Sequence, residues 1–103
     1  MFKGGIAGMM QKAKQMQEDM EIAQEEIKSL TCEGISALGD IKIVLNGEHK
    51  ITNINIADSL LSDKEMLEDL IMIAVNDASS KVNNISKEKV KNVTGGLNLP
   101  FSK

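Results

Sequence analysis

Residues 41–56 read Ile41-Lys42-Ile43-Val44-Leu45-Asn46-Gly47-Glu48-His49-Lys50-Ile51-Thr52-Asn53-Ile54-Asn55-Ile56. Ile41 to Leu45 largely alternates in polarity, and Ile51 to Ile56 largely alternates again. Asn46-Gly47 stands between them, and both residues tolerate the positive φ of a tight hairpin, so the spacing predicts two antiparallel strands joined by a two-residue turn. Upstream, Thr31-Cys32-Glu33-Gly34-Ile35-Ser36 predicts a first, weaker strand before a break at Gly39. Three strands with one apolar face form a small meander with open edges, and pairing with a second subunit would close one of them.

Before the sheet the period changes. Ile6, Met9, Ala13, Met16, Met20, Ala23, Ile27 and Leu30 recur at alternating spacings of three and four. That is an a/d repeat, which predicts a helix over 6–30, roughly 37 Å long at about 1.5 Å per residue. Ordering such a helix costs about 1 kcal/mol or more per residue, and a narrow Met/Ala seam cannot offset that cost while it faces water. The seam therefore calls for a second helix to cover it.

After the sheet, Ser62-Asp63-Lys64-Glu65 fits a capping box with Ser62 as N-cap. It opens a helix over 63–93 whose apolar face is Leu67, Leu70, Ile71, Ala74, Ala78, Val82 and Ile85. Gly95-Gly96 is the stop signal, and 94–103 is a tail. The 103 residues make one domain, 1–103, of α+β class: a long N-terminal helix, a three-stranded antiparallel sheet over 31–56 and a long C-terminal helix.

Composition argues against catalysis. His49 is the sole histidine and Cys32 the sole cysteine. No Ser/His/Asp set, Cys/His pair or metal-ligand spacing exists, so the chain reads as a non-enzyme with no cofactor and no metal. The glycine-broken N-terminus lacks a secretory apolar core, and Leu70–Val75, the longest apolar run, is too short to span a bilayer. The expected location is the cytoplasm, with no membrane partner.

Charge order says more than the net charge of −3. Residues 1–17 carry +3, residues 18–77 carry −10, and residues 78–103 carry +4. Two antiparallel helices would bring the two basic segments to one end, forming a +7 zone remote from an acidic body. Local concentration of that kind serves sequence-independent phosphate binding whatever the overall sign.

The chain resembles the YbaB/EbfC nucleoid-associated proteins of bacteria over nearly its whole length. The resemblance rests on Met9-Met10-Gln11-Lys12-Ala13-Lys14-Gln15-Met16-Gln17, Asn46-Gly47, Asp58-Ser59-Leu60-Leu61, Asp63-Lys64-Glu65-Met66-Leu67-Glu68-Asp69-Leu70, Ala74-Val75-Asn76-Asp77-Ala78 and Gly95-Gly96-Leu97-Asn98-Leu99-Pro100. It implies an α-β-α subunit, a tweezer-like homodimer with projecting helical arms, DNA binding, association with the nucleoid and, in some members, regulation of gene expression. Three departures stand out. The glycine-rich stretch before the second strand is reduced to Gly39, Asp40 sits where the family tends to place an apolar residue, and the chain has no arginine. Without guanidinium groups, bidentate reading of guanine is lost while backbone binding by lysine is kept.

The combined expectation is a dimer that contacts phosphates of double-stranded DNA through Lys3, Lys12, Lys14, Lys81, Lys87, Lys89 and Lys91. Two alternatives stand beside it: a prefoldin-like chaperone or protein-interaction module with helical arms, and an accessory factor to DNA repair or replication proteins.

Overall fold

The computed structural model describes residues 2–36 and 38–94, with side chains from residue 5 onward. The element order is helix α1 (Phe2–Ser29), strands β1 (Thr31–Ser36), β2 (Ile41–Asn46) and β3 (Ile51–Ile56), a 3-10 turn (Asp58–Ser62) and helix α2 (Lys64–Thr94). The Gly95-Gly96 stop and the rest of the tail lie outside the described residues. The sheet is antiparallel in the order β1-β2-β3, which is the α+β architecture expected from the alternating and heptad-spaced segments.

Ile41, Ile43 and Leu45 of β2 point to one face of the sheet, where they are fully buried under Ala74, Ala78 and Val82 of α2. The helix stripe consists of small residues at i, i+4 and i+8, so its backbone comes close to the strands. Gly34 shows how close. A Cβ placed on it would lie 1.9 Å from the Ala74 carbonyl oxygen and 2.6 Å from the Ala78 nitrogen. The α2 backbone thus rests on β1 where a side chain would stand. Cys32 is buried beside this contact as an ordinary core thiol.

The hairpin departs from the two-residue turn expected of Asn46-Gly47. Three residues, Gly47, Glu48 and His49, separate Asn46 from Lys50, and Asn46 donates its N–H to the Lys50 carbonyl at 2.9 Å. The Asn46 side-chain oxygen accepts from the N–H groups of Glu48 and Lys50 at 2.8 and 3.0 Å. This local bonding organises the longer loop. His49, not Gly47, takes the left-handed conformation, with φ 65. Gly47 is required for a different reason: a Cβ there would fall 1.6 Å from the Ile27 carbonyl oxygen of α1.

The start of α2 also moves by one residue. Ser62 belongs to the 3-10 turn, where its hydroxyl donates to the Ser59 carbonyl at 3.3 Å. Asp63 is the N-cap, its carboxylate accepting from the Met66 N–H at 3.2 Å. The 3-10 turn over Asp58–Ser62 delivers one residue, Leu60, to the core.

Gly34→Ala should lower unfolding free energy by about 1–3 kcal/mol or more through forced separation of α2 from β1. Urea unfolding checks this, and a midpoint equal to the parent's would contradict the close approach.

Candidate nucleic-acid interface

The helices are about 42 and 46 Å long at 1.5 Å per residue, yet the molecule extends 74 Å along its longest axis. They therefore overlap over only part of their lengths. The overlap lies where Lys89, Asn92 and Val93 of α2 line a groove with Asp19, Ile22, Ala23 and Glu26 of α1. Ala23 and Ile27 are buried, and Met16, Met20 and Leu30 are half-buried. Ile6 and Met9 remain 62% and 71% exposed. The inner half of the heptad seam is thus covered by the chain's own second helix. The outer half runs on past it as an arm that is uncovered among the described residues.

This geometry distributes the six candidate lysines among the described residues differently from a single +7 tip. Lys12 and Lys14 are exposed on the arm, about 8–10 Å beyond the level of Asp19 along the helix axis. The α2 segment bearing Lys87, Lys89 and Lys91 instead runs beside the acidic part of α1. Lys89 makes an ion pair with Glu26 at 3.1 Å and is half-buried in doing so. Lys87 and Lys91 are exposed, one helical turn apart on one face. No carboxylate lies within 4.0 Å of Lys12, Lys14, Lys87 or Lys91 among the described residues. The side chain of Lys3 lies outside the described residues.

Lys81 stands apart from the arms. Its ammonium lies 3.1 Å from the Asp77 carboxylate and donates to the Glu33 carbonyl of β1 at 2.8 Å. Asp77 in turn accepts the Ile35 N–H at 3.0 Å. The i, i+4 pairing of Asp77 with Lys81 is readable in the sequence, but its engagement of a strand edge 42 to 48 residues away is not. His49 hydrogen-bonds Asn83 of α2 at 3.0 Å and so ties the hairpin loop to the helix that carries Lys87 and Lys91.

Four exposed lysines spread over two helices, with no enclosed cleft between them among the described residues, suit a long polyanion better than a small ligand. Lysine ammoniums are point charges on flexible stems, which match phosphates without reading bases. No group of three or more His, Cys, Asp or Glu among the described residues could hold a metal ion. No helix of the described chain is long and apolar enough to cross a membrane.

Two comparisons with known proteins bear on the chain as a whole. The model of the YbaB/EbfC DNA-binding family matches residues 2–97. Among solved structures, the chain is similar to the uncharacterized protein HP0035 from Helicobacter pylori, with 27% sequence identity and a TM-score of 0.71. The match covers 87% of this chain and 94% of that one.

The Asp77 carboxyl is held below its ordinary value of 3.8, first by the Ile35 N–H bond and then by the hydrogen bond and charge of Lys81, with desolvation opposing. Its folded pKa therefore lies below its unfolded one. The stability it contributes is present above the unfolded value and is lost as pH falls through the folded value. Urea unfolding of the parent and Asp77→Asn should differ clearly at about pH 7 and differ less at a pH below the ordinary value of 3.8. An equal difference at both would contradict the charge contribution.

Proposed function

The chain belongs to the YbaB/EbfC DNA-binding family, and from that premise we propose a nucleoid-associated homodimer that grips the DNA backbone with its lysine-bearing arms. The observation that carries this reading is the segregation of charge. Lys12, Lys14, Lys87 and Lys91 are exposed and unpaired among the described residues, whereas Lys81 and Lys89 are engaged by the protein itself. Binding is sequence-tolerant, because no arginine is present to read guanine bidentately. Its location is the nucleoid within the cytoplasm, and its influence on gene expression follows from occupancy of the duplex.

The dimer is supported by what the subunit leaves uncovered. β3 pairs with β2 on one side only, and its other edge faces no strand among the described residues. Ile54 and Ile56 stand opposite Ile43 and Ile41, and Ile51 opposite Leu45. They therefore extend the apolar face that α2 covers on β1 and β2. Ile51 and Ile54 are nevertheless about half exposed. A second copy paired at β3 would cover this column and produce a continuous six-stranded sheet. The exposed arm supports the same reading, since an unpacked helix containing Gly5 and Gly8 gains little from intrinsic propensity.

Lys12→Glu/Lys14→Glu should abolish retardation of duplex DNA in a gel while leaving the mass in solution at that of two chains. Unchanged retardation would overturn the arm assignment. If the four free arm lysines of each subunit are the ones engaged, the slope of log K against log salt reaches about −7 for the dimer. Binding that does not weaken with salt would overturn backbone recognition. Ile54→Lys should shift the mass to that of one chain, because it places a charge on the β3 column; an intact dimer would move the interface elsewhere.

A further inference from the structure

The two edges of the sheet are treated differently. On β3 the outer edge faces no strand among the described residues. On β1, two outward-pointing backbone groups are occupied by side chains of α2: the Ile35 N–H by the Asp77 carboxylate at 3.0 Å, and the Glu33 carbonyl by the Lys81 ammonium at 2.8 Å. The acid meets the donor and the base meets the acceptor. The two side chains also pair with each other at 3.1 Å. An incoming strand would use that same N–H and that same carbonyl to form its ladder. To do so it would have to displace two charge-assisted hydrogen bonds, each stronger than the neutral bond it would offer.

We propose that Asp77 and Lys81 seal the β1 edge against strand addition, so that sheet-mediated assembly is confined to β3 and stops at two copies. The limit of two rests on the dimer proposed above; the seal itself does not. The Gly34 contact fixes the geometry. Only a helix lying directly on β1 can reach over its rim with residues one turn apart. Lys81 thereby acquires a role distinct from the DNA-facing lysines, which places it outside the phosphate-binding set.

The test measures mass by light scattering across a concentration series for the parent and for Asp77→Ala/Lys81→Ala, with folding verified by cooperative urea unfolding. The expected result is growth of the variant into larger multiples as concentration rises. Adding Ile35→Pro to the double variant should return the parent mass, since proline has no N–H to offer and is tolerated at a strand edge. A folded double variant with the parent's mass at every concentration would overturn the seal. So would assemblies that persist in the triple variant. The parent's own mass, one chain or two, decides the dimer reading separately.

A second measurement needs no altered protein. Ile35 and Glu33 both present their N–H groups at the outer edge of β1, but only the Ile35 N–H is held by Asp77. Amide exchange in the parent should be about tenfold or more slower at Ile35 than at Glu33, as a bond to a charged acceptor implies. Equal rates would overturn the seal even if the double variant did not fold.

Discussion

The contact of the α2 backbone with β1 at Gly34 is the constraint on which the other features depend. With Ala74, Ala78 and Val82 facing the strands, the helix settles without intervening side chains. Three consequences follow from that position. The buried face of β2 is closed over. Asp77 and Lys81 are carried to the rim of β1. The far end of α2 is aimed along α1, where Lys89 meets Glu26. A bulkier residue at 34 would alter all three at once.

Placing α2 over β1 and β2 leaves β3 as the uncovered third of the sheet. This division differs from a design flaw in one respect: the two edges are not equally exposed. One is occupied by fixed charges and the other is bare among the described residues. An edge strand with half-exposed isoleucines is an aggregation hazard unless it has a specific partner, and a symmetric pairing consumes it once. The seam on α1 shows the same economy of cover. Its inner half is packed by the chain's own helix, and its outer half is left as an arm on which charge rather than apolar contact dominates.

Separation of charge along the molecule follows from the same packing. The acidic part of α1 lies alongside the C-terminal part of α2, so Lys89 is neutralised before any ligand arrives. Lys12 and Lys14 escape because α1 outruns its partner. A chain with a net charge of −3 can still present cationic ends to a polyanion, since Coulomb interactions between exposed groups are screened within about 8–10 Å at physiological salt.

Alternation around Asn46-Gly47, the heptad seam and the stripe from Leu67 to Ile85 were enough to read three strands between two long helices, because burial imposes its period on the residues that experience it. The family likeness was legible from local blocks for the same reason. Contacts between elements distant in the chain carry no local period, and these escaped. The turn lengthened because Asn46 organises three following residues, and Gly47 answers to Ile27 rather than to its own φ. The N-cap passed from Ser62 to Asp63 once the 3-10 turn claimed the serine. Above all, the six candidate lysines among the described residues divided into free and engaged ones. Lysine type and spacing are set by sequence, but whether an ammonium faces solvent, a carboxylate or a strand edge is decided only when tertiary packing chooses its neighbours.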